Sequence, residues 1–334
     1  MSATGTQAAG ALRLLADIGG TNARFALQEA PGGRGGRIVD VEVLACRAYE
    51  TIGAAIAGYL AQAAGRGLAS GGVRAAALAI ANPVEGDVVA MTNHHWRFSI
   101  EALRHERGLD TLLVVNDFAA LAMALPHLDD DGRERVGDGA FAGAPGRPLG
   151  LIGPGTGLGV SGVVPCDGRW IALPGEGGHA SFAPVTRQEI RILEALWEEL
   201  GQDEGHVSAE RLLSGMGLAS IHRALWGQAL AAPDITARAL DGSCRACRDT
   251  VEAFCAVLGS VAGNVALTLG ATGGMYIGGG IVPRLGRLLH ASSFRHRFED
   301  KGRLRGYLER IPTWVVTEPY PALRGVAALL DARQ

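Results

Sequence analysis

At 334 residues the chain exceeds one ordinary hydrophobic core and invites two domains. Hydrophobic residues make up 48% of it and mean hydropathy is +0.16, which leaves ample material to bury. A net charge of −3 gives no global attraction to nucleic acid or to an anionic membrane. Five cysteines are too few and too oddly numbered for a disulfide framework, which suits a reducing cytoplasm.

In chain order, residues 1–11 carry no basic patch before an apolar core and read as a flexible tail, not a signal peptide. Residues 14–27, L-L-A-D-I-G-G-T-N-A-R-F-A-L, set a carboxylate, two glycines and a hydroxyl between two apolar runs. After Thr21 the apolar positions alternate with period two, so the glycines bend a strand–turn–strand unit rather than open a helix. Gly19 and Gly20 can take positive φ and let bare N–H groups approach an anion. Asp17 beside them would repel a phosphate unless a divalent cation lay between, which suggests phosphate plus Mg²⁺. A tight hairpin with a capping Asp is the plainer alternative.

Strands are expected near 12–18, 22–28, 38–45, 73–81, 111–116, 149–153, 158–165, 169–173, 273–277 and 313–317. Helices are expected at 51–66, 99–107 with Ser99 as N-cap, 118–126, 186–200, 208–213, 216–226, 248–269, 281–290 and 321–332. Alternating strands and helices argue for an α/β architecture. The polar stretch 129–143 reads as the longest internal loop, and the basic stretch 295–305, broken by Glu299 and Asp300, as a solvated face. Cys244 and Cys247 form C-x-x-C without further metal-ligand spacing and read as two ordinary thiols. The apolar window 251–270 contains Glu252 and Asn264, and a packed helix explains it better than a membrane span.

Two later glycine clusters echo the first. Residues 149–164, L-G-L-I-G-P-G-T-G-L-G-V-S-G-V-V, form a second glycine-rich bend with Thr156, and 273–281, G-G-M-Y-I-G-G-G-I, follow a short apolar strand. Asp117 ends an apolar strand, where α/β proteins place ligands, and is a candidate proton acceptor. A helix N-cap is the competing reading. Asn116 beside it can donate to and accept from a sugar hydroxyl. In P-G-E-G-G-H-A, Glu176 and His179 suit a polyol, the carboxylate taking vicinal hydroxyls and the imidazole a third; a metal pair lacks further ligands nearby. Glu210, on its own residues, reads as an exposed carboxylate in the first turn of a helix capped by Ser208.

Two phosphate hairpins and a late glycine turn resemble the actin–hexokinase superfamily. M-T-N-H-H-W-R-F-S (91–99), V-V-N-D-F-A-A-L-A-M-A (114–124), L-P-G-E-G-G-H-A-S-F-A-P (173–184) and H-V-S-A-E-R-L-L-S-G (206–215) are similar to the bacterial ATP-dependent glucokinases, from about residue 12 to about 330. The resemblance implies an α/β, two-domain actin/hexokinase-like (ribonuclease H-like) fold with the active site in the interdomain cleft. The smaller domain would be 12–117 plus 318–334 and the larger 118–317.

The resemblance also implies ATP, Mg²⁺ and D-glucose as ligands, ADP and glucose 6-phosphate as products, a cytoplasmic homodimer, and no nucleic-acid or membrane partner. It makes Asp117 the base and Asn116, Asp117, Glu176, His179 and Glu210 the sugar-binding residues. Nucleotide binding falls to Ala16, Asp17, Ile18, Gly19, Gly20, Thr21, Gly155, Thr156, Gly157, Gly278, Gly279 and Gly280, with Asp17 on Mg²⁺ through water. Asn93, His94, His95 and Trp96 resemble the loop edging the sugar pocket. Polyphosphate as donor, a broader hexose range and a non-catalytic sugar sensor stay open. The sensor would need a helix-turn-helix extension, and the Cys-rich zinc motif of the repressor–kinase branch is absent after His179, where the next cysteine is Cys244.

Overall fold

The structure, a computed structural model, is described over residues 11–30, 36–68, 72–92, 94–137, 143–201 and 203–333. The tail expected at 1–11, apart from Ala11, lies outside the described residues, as do Asn93 and residues 138–142 of the expected loop. Contacts divide the chain into two compact units, Met1–His127 with Tyr320–Gln334, and Leu128–Pro319.

The first unit opens with β1 (Ala11–Ile18), β2 (Asn22–Ala30) and β3 (Ile38–Ala45), then α1 (Ile52–Gly65) and β4 (Val73–Ile80). A short antiparallel pair, β5 (Val88–Ala90) and β6 (Arg97–Ser99), leads into α2 (Ile100–Glu106), whose N-terminal amide at Ala102 donates to the Ser99 side chain as expected. Neither of these three-residue strands was expected. Next come β7 (Thr111–Asn116) and α3 (Asp117–Ala124).

The sheet order is β3-β2-β1-β4-β7, antiparallel across β3-β2-β1 and parallel across β1-β4-β7. Register sets Ile18 beside Ile80 and Ile80 beside Asn116, so the carboxyl ends of the three parallel strands lie level. One face packs Leu14, Ile18, Phe25, Leu78 and Ile80 against Ile52, Ile56 and Tyr59 of α1. The other face, with Leu15, Ala77, Ala79 and Leu113, is covered by the last helix of the chain. Burial on both faces makes these strands read as apolar runs rather than alternations.

The second unit begins with β8 (Arg133–Val136), inside the stretch expected to be a loop. Its arginines hid it: Arg133 and Arg135 lie over the Trp314 ring at 4.5 and 5.3 Å, so charged side chains do the packing of an apolar strand. There follow β9 (Leu149–Pro154), β10 (Leu158–Cys166), β11 (Arg169–Gly175), α4 (Arg187–Leu200), α5 (Gly215–Trp226), α6 (Ala232–Leu240) and α7 (Arg245–Leu269). Then come β12 (Gly274–Ile277), α8 (Val282–Leu285), α9 (Arg287–His290), α10 (Phe294–Glu299), α11 (Arg305–Glu309) and β13 (Thr313–Val316). The helix expected over 281–290 is broken in two at Gly286, which takes φ +48°. The helix expected over 208–213 is a single 3₁₀ turn, Ala209–Arg211. The sheet order β11-β10-β9-β12-β13-β8 repeats the first unit's scheme, an antiparallel triplet joined to two parallel strands, with β8 added antiparallel at the edge.

Helix α7 is long and apolar enough to cross a membrane by length and composition, but 67% of its most apolar window is buried within the unit. Gly259 and Gly263 sit on it where an added Cβ would overlap the Phe294 and Phe298 carbonyl oxygens, so α10 lies directly against the α7 backbone. The solvated face expected at 295–305 holds at 302–305, which are exposed, but not at Arg297 and Phe298, which are buried. Phe294 and Phe298 are fully buried, Arg297 pairs with buried Glu189 at 2.8 Å, and Arg295 donates to the carbonyls of Leu308, Glu309 and Ile311. Basic residues here close backbone acceptors and one interior carboxylate.

The last helix, α12 (Pro321–Ala332), returns to the first unit. Leu323, Val326 and Leu330 cover the second face of its sheet, and an added Cβ at Gly325 would overlap the Ala120 carbonyl oxygen of α3.

Candidate functional site

The β1–β2 turn carries the first glycine pair. Gly19 N–H closes the turn on Asn22 O at 3.0 Å, while Gly20 and Thr21 N–H make no hydrogen bond among the described residues. Neither Gly19 nor Gly20 takes positive φ, so the backbone freedom expected of them is not what the turn uses. What it offers an anion is two uncommitted donors. Ala16 and Ile18 are fully buried in the two-faced core and can present only main chain there. Asp17 faces Arg24 across the ladder, and Arg24 Nη1 donates to its Oδ2 at 2.9 Å. Burial pushes the Asp17 carboxyl above its usual range, with Arg24 opposing.

Asp117 lies at the level carboxyl edge of the same sheet, one residue past β7. The expected alternative, Asp117 as N-cap, is overturned. Asn116 takes that duty, its Oδ1 accepting from Phe118 N at 2.9 Å and Ala119 N at 3.1 Å. Asn116 Nδ2 in turn donates to Asp117 Oδ1 at 3.1 Å and to Asn82 O at 3.3 Å. Phe118 N also donates to Asp117 Oδ1. One oxygen of Asp117 is therefore pinned, and Oδ2 has no partner among the described residues. Burial pushes this carboxyl up to about 6, the nearby Asp17 charge adds to the rise, and the hydrogen bonds from Phe118 and Asn116 offset part of it. Such a group is ionised at neutral pH yet able to take a proton. Asn116 has both lone pairs and both donors engaged, its bond to Asn82 O at 3.3 Å being the longest of the four.

Metal fit follows from the donors. Asp17 Oδ1 and Asp117 Oδ2 are uncommitted oxygens on neighbouring carboxylates, and no group of three or more His, Cys, Asp or Glu able to hold a metal ion occurs among the described residues. Mg²⁺ keeps most of its waters and needs only one or two carboxylates when phosphate oxygens complete the shell, so the set fits that ion.

In the second unit the turn between β9 and β10 holds Gly155, Thr156 and Gly157. Gly155 N donates to Gly157 O at 2.8 Å, and Gly215 N, at the start of α5, donates to Gly155 O at 3.0 Å. Thr156 is exposed, and its N–H and that of Gly157 are uncommitted. The late glycine turn lies against the same strand: Gly278 N donates to Ile152 O at 2.8 Å and Ile281 N to Pro154 O at 3.3 Å. Gly279 takes φ +79°, and any side chain there would overlap Pro154 O. The structure thus brings 155–157 and 278–280 together.

The Glu176–His179 segment is a 3₁₀ turn, Gly177–His179, laid on the start of β10. A Cβ at Gly178 would overlap Leu158 O, so glycine there lets the turn touch the strand that leaves the second hairpin. Glu176 and His179 are both exposed, with Nε2 and Oε2 3.8 Å apart. Residues 207–209 pair beside 180–182, Phe182 N donating to Val207 O and Ala209 N to Ala180 O, which brings Glu210 alongside. Ser208 does not cap with its side chain, and Glu210 is not a free surface carboxylate. Its Oε2 accepts Leu158 N–H at 2.9 Å and occupies the space that a Gly157 side chain would need. Its Oε1 stays uncommitted. No sequence signal links these residues, more than fifty positions apart.

The 94–96 loop divides. Trp96 is buried and donates to Tyr49 O at 3.1 Å, and His95 Nε2 meets Glu50 O at 3.0 Å. His94 Nδ1 is buried without a partner, and burial, then His95, holds its pKa below the usual value.

A family model described as Glucokinase matches residues 14–333. The glucokinase of Chromobacterium violaceum is 54% identical over 324 residues, covering 95% of this chain and 89% of that protein. The bifunctional protein glk of Paraburkholderia xenovorans is 52% identical over 325 residues; the match covers 95% of this chain but spans about half of that longer protein, 48%. Among solved structures, a glucokinase from an Antarctic psychrotroph superposes with a TM-score of 0.85 at 34% identity, covering 96% of this chain and 99% of that one.

Proposed function

The chain belongs to the glucokinase family and is a glucose-phosphorylating enzyme, and from that premise we propose how its own residues divide the reaction. The γ-phosphoryl group of ATP passes to the 6-hydroxyl of D-glucose, giving glucose 6-phosphate and ADP, the entry step of glycolysis in the cytoplasm. Asp117 Oδ2 takes the proton of the 6-hydroxyl as the oxygen attacks. The observation that carries this role is a carboxylate with one oxygen pinned, the other uncommitted, and a pKa raised to about 6. Asn116 holds Asp117 in that orientation and meets the sugar through Nδ2.

Glu176, His179 and the free Oε1 of Glu210 take ring hydroxyls, a carboxylate accepting from two vicinal hydroxyls at once. Gly20 and Thr21 N–H cradle one phosphate, and Thr156 and Gly157 N–H another, as uncommitted amides do. Gly278, Gly279 and Gly280 leave room for the nucleoside, with Gly19 and Gly155 shaping the turns and Ala16 and Ile18 contributing main chain. Asp17, held by Arg24, would hold Mg²⁺ through water; the ion, when bound, would neutralise phosphate charge. The working assembly is a homodimer.

The test is direct. Purified protein is assayed for glucose 6-phosphate with ATP and with polyphosphate, and for transfer to mannose, fructose and N-acetylglucosamine. ATP-dependent transfer to glucose, lost in Asp117→Asn with glucose binding retained, is the expected result. Full activity in that variant, or turnover with polyphosphate alone, refutes the assignment.

A further inference from the structure

The C-x-x-C pair at 244–247 is not absorbed by phosphoryl transfer, and its geometry is that of a reactive dithiol. Cys244 is the N-cap of the 25-residue α7: its backbone is extended, at φ −132° and ψ 111°, and its Sγ accepts the Cys247 N–H at 3.2 Å. A thiol rarely fills that position; Ser, Thr, Asp or Asn do. Here a sulfur that can become anionic sits on the positive end of a long helix, with Arg238 near and Arg245 and Arg248 exposed alongside. Cys247 lies three residues on, fully buried.

The two groups are driven apart. The Cys247 side chain and then its N–H pull the Cys244 pKa down, whereas burial and then Cys244 itself push Cys247 up to about 11. The other three thiols differ. Cys46 and Cys255 are buried, Cys255 being pushed up to about 12, and exposed Cys166 faces the Asp167 carboxylate.

We propose that Cys244 and Cys247 form a reversible intramolecular disulfide, Cys244 attacking and Cys247 resolving, with a hydroperoxide or a small-molecule disulfide as oxidant. With hydrogen peroxide, the Cys244 thiolate attacks one oxygen, the O–O bond breaks and hydroxide leaves as water, giving the sulfenic acid. The Cys247 sulfur then attacks the Cys244 sulfur, the S–O bond breaks and a second water leaves. Two thiols lose two electrons and two protons, and one peroxide becomes two waters. Residues three apart on a helix hold their Cβ atoms about 5–6 Å apart, against about 3.5–4.5 Å in a disulfide. The N-cap, outside the helix proper, supplies the swing. Because the thiolate is stabilised in the reduced form, the bond is expected to be readily reduced again.

The test uses the full chain and reads mass, not kinase activity. Protein is treated at pH 7 with oxidised glutathione or with hydrogen peroxide, quenched by alkylation and digested. The expected result is loss of two hydrogens in the peptide carrying both cysteines, reversed by dithiothreitol. Cys247→Ser should instead trap a glutathione adduct on Cys244, and Cys244→Ser should leave Cys247 unmodified. Iodoacetamide should label Cys244 at least about tenfold faster than Cys166. The proposal is overturned if Cys244 in the intact pair accumulates as the glutathione adduct or sulfinic acid while Cys247 stays a thiol. It is equally overturned if Cys244 labels no faster than Cys166.

Discussion

Asp117→Asn changes rate and stability in opposite directions, and both effects follow from one carboxylate. With a pKa of about 6 the group is about 90% ionised at pH 7 and about 10% at pH 5, so wild-type kcat/KM should fall about tenfold between them. A carboxyl at its ordinary value near 3.8 would stay above about 90% ionised over that range. Loss of the base should cost about 10²–10⁴-fold in kcat.

For stability, the folded-state pKa lies above the unfolded one, so the folded protein binds the proton more tightly. The favourable contribution is complete below pH 4 and is lost as pH rises through 6. The penalty at neutral pH is about two pKa units, or about 3 kcal/mol at most, less whatever solvent screens at this partly exposed side chain. Asparagine can still accept from Phe118 N and Asn116 Nδ2 through its amide oxygen while carrying no charge. The variant should therefore be more stable than wild type above pH 6 and equal to it near pH 4. Urea denaturation at pH 7.5 and 4.5, beside initial-rate profiles from pH 5 to 8, measures both. A stability difference independent of pH, or a wild-type acid limb centred below pH 5, would refute the reasoning.

Sugar and nucleotide contacts should separate by substrate. Glu176→Gln and His179→Ala should raise KM for glucose about ten- to hundredfold and KM for ATP little, since each removes a bond to or from an ionisable group. Thr156→Val should do the reverse, several-fold, and equal effects on both substrates in all three variants would sink the division. Gly325→Ala drives a methyl into the Ala120 carbonyl where α12 crosses α3, and should cost about 1–3 kcal/mol or more in thermal or urea unfolding. An unchanged midpoint would mean that α12 is not seated there.

Strands buried on both faces were legible from their apolar runs, and β1, β3, β7 and β9 lie within a residue of expectation because turn residues bound them. What escaped was structure whose partner is distant. In R-E-R-V the charges say loop, and only Trp314 on the neighbouring strand makes Arg133 and Arg135 good packers. At the start of the 295–305 stretch charge obscured a signal: Phe294 and Phe298, one helical turn apart, are both fully buried. At Asp117 the sequence left proton acceptor and N-cap as competing readings, and the cap in fact falls one residue earlier. The backbone gives the cap to Asn116, and that choice is what leaves Asp117 an uncommitted oxygen. The candidate sugar residues were readable as types, but the bond from Leu158 N–H to Glu210 was not, since nothing local relates a strand to a 3₁₀ turn fifty residues away.

Helix α12 also governs how the chain can be made. The apolar face of Leu15, Ala77, Ala79 and Leu113 leaves the ribosome early, yet its cover, Leu323, Val326 and Leu330, follows the whole of Leu128–Pro319. At about 5–20 residues per second the wait is about ten seconds or more. The second unit is continuous in sequence, but its last strand, β13, precedes α12 by only a few residues, so neither unit can complete its core before the end of synthesis. Through that interval the first sheet is an exposed apolar surface of the kind that chaperones engage. A chain ending at Pro319 and released from the ribosome should accordingly protect residues 128–319 from protease and leave 11–127 open to cleavage.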